Sequence, residues 1–331
     1  MSPTHSAAAD AALLQVRGLV KHFRSGGRLF RRAGAPVRAV DGVSLSVRPG
    51  EAVGLVGESG CGKSTAARAM LRLIEPDSGE VRFGGTDMRA AGGAALIALR
   101  RRMQLVFQDP YSSLNPRRTI GRTLTEPLSV HGMLRGRPAR ERAAALLDEV
   151  GLPPAALDRY PHEFSGGQRQ RIGIARTLTL EPELIIADEP VSALDVSVQA
   201  QVLLLLRRLQ ERRGLAFLLV SHDLGVVRWF CSRVCIMYLG RIVEEGSVER
   251  VFGAPRHPYS RMLRDASPVP DPARRSDLPL AVGEIPSAAS PPPGCHFHPR
   301  CARAIAACST AYPAWTETGD GGFACHNPLD G

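Results

Sequence analysis

The chain has 331 residues, 44% of them hydrophobic and 22% charged, with a formal net charge of +10 at pH 7. That is enough apolar material for a sizeable core, too much for wholesale disorder, and a length that suggests about two domains. No apolar run approaches the roughly 18 residues that a membrane span needs, residues 1–10 lack the build of a secretory signal, and aromatics at 5% argue against a nucleic-acid surface of stacked rings.

Only two of the 42 Lys and Arg residues are lysine, Lys21 and Lys63. A basic body can meet nucleic acid or anionic lipid, but no nucleic-acid-binding module is recognisable and no such partner is expected. The composition predicts a chain that stays in the cytoplasm unless a partner holds it at a membrane.

Residues 13–20 and 38–47 read as strands, short and rich in Val and Leu, with a Gly- and Arg-rich loop over 24–36. A third apolar run, 51–56, precedes a helix expected from Lys63 to about Leu73, which stops near Pro76 and the Asp77-Ser78-Gly79 turn. Residues 103–107 read as another strand. From about 109 to 182 the composition changes to a helical insertion, with helical period over 140–150 and Ser165 as the N-cap of a helix running to about Leu180. Residues 184–187 form a buried-strand run ending in Asp188-Glu189-Pro190. Val198, Val202, Leu205, Leu206 and Leu209 fall at helical spacing, and 215–220 is the next strand. Alternating strands and helices imply an α/β fold with a mainly parallel sheet. Beyond about Ala266 the Pro-rich stretch 267–293 reads as a linker, and the tail 294–331 holds four of the seven Cys.

Gly57-Glu58-Ser59-Gly60-Cys61-Gly62-Lys63-Ser64 matches G-x-x-x-x-G-K-[ST] between a predicted strand and a predicted helix, the context that identifies a P-loop. Glycines let successive N–H groups face the phosphates, and the helix N-terminus adds positive potential. Lys63 would reach the β- and γ-phosphates and Ser64, followed by Thr65, would ligate Mg²⁺. Cys61 reads as a small filler whose backbone does the binding. Asp188, at the end of a buried run, can hold the Mg²⁺ water shell, and Glu189 can polarise an attacking water as general base. Together these define a nucleotide triphosphatase without saying what the energy drives.

Phe164-Ser165-Gly166-Gly167-Gln168-Arg169-Gln170-Arg171 resembles the signature sequence of ATP-binding cassette (ABC) ATPases. Phe107-Gln108-Asp109 is similar to the family's Q-loop, Ser192-Ala193-Leu194-Asp195 to its D-loop, and Ser221-His222-Asp223 to its switch-histidine region, all in the family's order between about 13 and 245. The resemblance implies two nucleotide-binding domains facing head to tail, each ATP lying between one P-loop and the partner's Ser165, Gly166, Gly167 and Gln168, with Asp195 also among the nucleotide-binding residues. His222 would hold the γ-phosphate and attacking water, Gln108 would touch metal and water, and Phe23 would stack on adenine.

A narrower likeness lies in Gln108-Asp109-Pro110-Tyr111-Ser112-Ser113-Leu114-Asn115-Pro116, Tyr160-Pro161-His162-Glu163-Phe164, Met237-Tyr238-Leu239-Gly240 and His257-Pro258-Tyr259-Ser260. These resemble the ATPase subunits of bacterial dipeptide and oligopeptide importers. The likeness implies a cassette over 1–265, with an antiparallel β N-terminal part and the helical subdomain at about 109–182, followed by an irregular Cys-rich extension over 266–331. It implies two transmembrane permeases, a second and usually different ATPase chain, an extracytoplasmic substrate-binding protein, and a place on the cytoplasmic face of the inner membrane. Residues 111–122 are where the family receives its permeases. Importers of nickel, glutathione or other small solutes share the pattern, and a soluble ABC ATPase acting on ribosome or nucleic acid is the alternative of another class. Thr177-Leu178-Thr179-Leu180 departs from the family, which more often has Ala at the Thr positions.

Cys295, Cys301, Cys308 and Cys325 are spaced C-x5-C-x6-C-x16-C, unlike paired C-x2-C zinc sites. Four thiolates suit either Zn²⁺ or an iron–sulfur cluster, with His296, His298 and His326 adjoining. A similar tail in some peptide-importer ATPases holds a 4Fe-4S cluster, and the resemblance implies one here. Cys231 and Cys235 read as core packing.

Overall fold

The computed structural model describes residues 12–24, 35–109, 113–266 and 283–330. The expected N-terminal segment 1–10, most of the 24–36 loop, Pro110, Tyr111 and Ser112 of the importer-like motif, and most of the 267–293 linker lie outside the described residues. The chain divides into two compact units, one made of Met1–Arg48, Ala52–Ala91 and Leu219–Gly331, the other of Pro49–Glu51 and Gly92–Leu218.

The first unit begins with β1 (Leu14–Phe23), β2 (Val37–Val47), β3 (Ala52–Val56), α1 (Lys63–Met70), β4 (Ser78–Phe83) and β5 (Thr86–Asp87). An antiparallel sheet runs in the order β2-β1-β4-β5. Its register sets Leu14 opposite Val47 and Phe83, and Val16 opposite Leu45 and Val81. All six side chains are buried, the alternation expected of strands with one face on a core. The first strand runs to Phe23 rather than residue 20 because register shifts after Val16 let it bend, with Gly18 at φ 56 within the irregular stretch.

The second unit carries α2 (Gly93–Arg102), β6 (Met103–Val106), α3 (Ile120–Val130), α4 (Gly136–Glu149), α5 (Gly166–Leu178), β7 (Leu184–Asp188) and α6 (Val196–Arg213). Strands β6 and β7 pair in parallel, Met103 with Leu184 through Val106 with Ala187. Every residue of β7 is buried, so it reads as an unbroken apolar run rather than an alternating one. Helices α3, α4 and α5 fill the stretch read as a helical insertion. Helix α2 gives little periodic signal, burying only Leu99, whereas α3 buries Ile120, Leu124 and Leu128 at helical spacing but carries Pro127 in its interior.

The chain returns to the first unit within β8 (Ala216–Ser221), followed by α7 (Leu224–Phe230), β9 (Arg233–Tyr238), β10 (Arg241–Ser247), α8 (Val248–Gly253), α9 (Pro258–Ala266), α10 (Ala306–Thr310), β11 (Trp315–Thr318) and β12 (Gly321–Ala324). Strand β9 is parallel to β3 and antiparallel to β10. Cys231, just after α7, and Cys235, in β9, are both buried, as core packing requires. The extension, read from sequence as irregular, contains a hairpin: β11 pairs with β12, and β12 pairs with β10 through Glu244–Phe323 and Glu245–Gly322. Buried Glu244 accepts from the backbone N–H groups of Arg256 and His257, both at 2.9 Å, and from Arg250 at 3.0 Å. Among the described residues, no helix is long and apolar enough to cross a membrane.

Candidate nucleotide site

The P-loop leaves β3 and enters α1 with Gly62, at φ 107, as its left-handed N-cap. A Cβ at Gly62 would lie 1.8 Å from the Ala39 carbonyl oxygen, and one at Gly57 would lie 2.1 Å from that of Met237. Neither position has room for a side chain, so the loop is fixed against its floor. That floor is the Met237–Gly240 stretch singled out in the sequence: the Gly240 N–H donates to the Cys61 carbonyl at 2.9 Å.

Lys63 is buried, and its ammonium donates to the carbonyls of Gly57 and Glu58 at 2.8 and 3.0 Å. Ser64 and Thr65 are half-buried in the first turn of α1, and Ser59 and Gly60 are exposed. Burial pushes the Cys61 thiol up, which keeps it protonated and fits the filler reading. Phe23, at the end of β1, is 41% exposed and so is not a core side chain. Lys21, the other lysine, has its ammonium 5.6 Å from the Phe23 ring centre and 2.8 Å from Asp77. His222 is exposed just beyond β8, between Ser221, whose hydroxyl accepts the Asp223 N–H, and Asp223, which caps α7 through Gly225 and Val226.

The second unit holds the acidic pair. Asp188 ends β7 with only 1% of its surface exposed. Glu189 follows at φ 46, left-handed for a residue with a side chain, a conformation that costs about 1 kcal/mol or more and gathers at functional positions. The Gln108 side-chain amide donates to Glu189 Oε2 at 2.8 Å, and Ser192 Oγ donates to the Glu189 carbonyl at 3.1 Å. Asp195 begins α6, its carbonyl accepting from Val198 and Gln199.

Ser165 caps α5 as its sequence suggests. Its hydroxyl accepts from Gln168 N at 3.3 Å, and Gln168 Oε1 accepts from Ser165 N at 3.0 Å, a reciprocal capping box. A Cβ at Gly167 would lie 2.3 Å from Val198 Cγ1, so glycine lets the start of α5 approach α6. The first-turn N–H groups of Gly166 and Gly167 have no partner a turn earlier, the usual condition of a helix start that receives an anion.

Gln108 with Glu189, Ser165 with Gln168, and Lys63 with the P-loop carbonyls are thus brought together. Missed by the sequence reading is the hold on Glu58. Its N–H donates to Tyr259 Oη at 2.9 Å, and its carboxylate receives Arg300 Nη1 and Nη2 at 2.7 and 2.9 Å. In the first unit, the buried loop lysine and the cramped glycines suit a triphosphate; in the second, the sheltered Asp188 carboxylate is of the kind that holds a hard cation.

The tail cysteines are all free thiols. Burial, with the neighbouring Cys308, Cys325 and Cys301, pushes Cys295 up to about 11. Cys301 and Cys325 are raised likewise, first by burial and then by nearby thiols. His298 Nδ1 and His326 Nε2 lie 2.9 Å from the Cys295 and Ala311 carbonyls. The four sulfurs are electrostatic neighbours, yet among the described residues no group of three or more His, Cys, Asp or Glu is placed to hold a metal ion. The metal expectation for Cys295, Cys301, Cys308 and Cys325 therefore finds no support in the observed side-chain placement.

An ABC transporter family profile matches residues 40–192, and a profile for the C-terminal region of oligopeptide/dipeptide transporters matches 243–308. The chain is 48% identical over 326 residues to the oligopeptide transport ATP-binding protein AppF of Bacillus subtilis, covering 97% of this chain and 99% of that protein. It is 53% identical over 317 residues to a peptide ABC transporter ATP-binding protein of Sinorhizobium fredii, covering 95% and 90%. Among solved structures, the dimeric ATP-binding cassette MJ0796 with ADP and Pi shares 30% identity and a TM-score of 0.63, over 71% of this chain and 98% of that one. CbiO1 of Clostridium perfringens, part of an ABC transporter complex, shares 26% identity and a TM-score of 0.62, over 74% and 92%. By descent and by fold, the chain belongs to the ABC transporter ATP-binding proteins, in their oligopeptide/dipeptide branch.

Proposed function

We propose that this chain is the ATP-hydrolysing subunit of an importer of dipeptides or oligopeptides, with residues 1–265 as the nucleotide-binding domain and 266–331 as an importer-type extension. The observation that carries the catalytic reading is the Gln108–Glu189 hydrogen bond, 2.8 Å long, beside the buried end of β7. It aims a carboxylate held in a strained conformation, directly after Asp188. The importer reading is supported by relatives named as peptide and oligopeptide transport ATP-binding proteins.

In this reading Phe23 stacks on adenine. The loop Gly57–Ser64, with Thr65, cradles the triphosphate, and Lys63 exchanges the carbonyls of Gly57 and Glu58 for the β- and γ-phosphates. Ser64, Gln108 and Asp188 would hold Mg²⁺, which supplies charge neutralisation at the phosphates. Glu189 accepts a proton from the attacking water, and His222 steadies that water and the γ-phosphate. The partner's Ser165, Gly166, Gly167 and Gln168 close the far side, with Asp195 at the seam. ATP then acts as an adhesive between two ATPase subunits, and its cleavage releases them. Two permeases would receive the motion near residues 111–122, and an extracytoplasmic receptor would deliver the peptide. The chain would sit on the cytoplasmic face of the inner membrane through those permeases.

The finer reading of the tail is a 4Fe-4S cluster, with Zn²⁺ as the alternative, on Cys295, Cys301, Cys308 and Cys325. Four free cysteines within one short tail favour it, and ligation would require their side chains to deprotonate and turn together. Iron, sulfide and zinc analysis of anaerobically prepared protein, with its visible absorbance, tests it: metal-free fresh protein removes the reading.

The importer reading is tested by co-purification from detergent-solubilised membranes and by peptide-stimulated ATP turnover of the complex in vesicles. Recovery with two permeases and stimulation by short peptides is expected. A subunit that purifies with ribosomes, or a complex indifferent to peptides, overturns it.

A further inference from the structure

Glu58 is an odd tenant for an anion-binding loop. Its carboxylate adds negative charge beside the place where a triphosphate would lie, which opposes phosphate binding unless something neutralises it. The neutralising group comes from the extension. Arg300, in a short 3-10 turn (His298–Arg300), has a side chain only 4% exposed. Its two terminal nitrogens reach both Glu58 oxygens, a fork that matches a carboxylate in charge and shape.

The fork is set in an aromatic box. Tyr238, Tyr259 and Phe297 lie with ring centres 4.6 to 5.3 Å apart, and the guanidinium carbon is 6.0 Å from the Tyr238 ring centre and 5.9 Å from that of Phe297. Tyr259, from the His257-Pro258-Tyr259 motif, accepts the Glu58 N–H on its hydroxyl. Its own N–H donates to His257 Nδ1 at 3.0 Å. Glu58 is therefore gripped at three points: N–H by Tyr259, carbonyl by Lys63, carboxylate by Arg300. Of these, only the Lys63 contact must be given up for phosphate.

We propose that Arg300 and Tyr259 are positioning residues for ATP: the extension neutralises Glu58 and pre-sets the P-loop, so the C-terminal segment tunes nucleotide affinity. The grip acts equally on bound ATP and on the transition state, so its loss raises KM and leaves kcat nearly alone.

The test uses the full-length chain, with ATP binding measured by calorimetry and steady-state turnover measured in the assembled complex. Arg300→Gln bares the Glu58 charge and is expected to weaken ATP binding by about ten-fold or more, with the same factor in KM and kcat within about two-fold. The double variant Glu58→Gln with Arg300→Gln has no bare charge and should recover most of the affinity, which a merely structural role for Arg300 would not produce. Tyr259→Phe keeps the ring, loses only the hydroxyl, and should weaken ATP binding by a few-fold; it serves as the independent variant if Arg300→Gln does not fold. Unchanged ATP affinity in either folded single variant overturns the proposal, as does a double variant no better than Arg300→Gln.

Discussion

The side-chain amide of Gln108 and the carboxylate of Glu189, 81 positions apart in the chain, meet at 2.8 Å. The contact ties the Glu189 carboxylate to the Gln108 side chain at its Oε2 atom. Glu189→Gln keeps the shape and the strained backbone but removes the proton acceptor. Turnover should fall by about 10²–10⁴-fold while ATP is retained, so that dimers with trapped ATP accumulate on size-exclusion chromatography. Turnover near that of the unsubstituted protein would remove Glu189 from its role.

Gly62→Ala tests the loop's backbone. The substitution places a methyl group 1.8 Å from the Ala39 carbonyl oxygen at φ 107. Strain of this kind costs about 1–3 kcal/mol before the clash is counted. Denaturant unfolding should show a loss of at least that size, together with loss of ATP binding. Ordinary stability in the Gly62→Ala variant would mean that the loop relaxes freely.

Ser165→Ala removes the hydroxyl that caps α5 and opens the capping box with Gln168. The expected loss is about 1 kcal/mol in unfolding free energy. ATP-driven dimerisation should weaken further than that loss explains, because the same helix start would face the partner's nucleotide. Ser165→Asp restores a cap but adds negative charge there: stability should return and dimerisation should not.

Acid should loosen the first unit through His257. Burial pulls its imidazole down from 6.5 to about 3, and Nδ1 accepts the Tyr259 N–H, a bond that the neutral ring makes. Between those two values the unfolded chain binds a proton that the folded chain refuses. Stability is therefore fully present above about pH 6.5 and falls as pH drops toward 3, by up to about 1.4 kcal/mol per pH unit from this one group. His257→Asn supplies an oxygen near the Nδ1 position without a titrating ring. Its unfolding free energy should decline less steeply between pH 7 and 5, and parallel curves would contradict the assignment.

What was legible in the sequence is what local chemistry writes. The glycines and Lys63 of the P-loop, the apolar run before Asp188 and the Ser165 cap each declare themselves within a few residues. Helix α3 hid behind Pro127, a residue that ordinarily ends a helix, and α2 behind an exposed face that buries only Leu99. The β11–β12 hairpin hid because its first strand is largely exposed and its second opens with two glycines. The Arg300–Glu58 pair spans 242 positions, and no local pattern announces a partner at that distance. The likeness to the ABC family supplied the roles proposed for Gln108 and His222, which their own neighbourhoods do not state.

Strand β12 lies along β10, with Gly321 and Gly322 where any Cβ would strike the Glu245 carbonyl or the Trp315 ring. A protein shortened at residue 266 would therefore lay bare a ladder of unsatisfied amides and carbonyls on β10, a template for a second molecule's strand. Such a truncation would turn up as sticky, self-associating material, and an apparent transport defect in it would reflect precipitation before it reflected any loss of coupling.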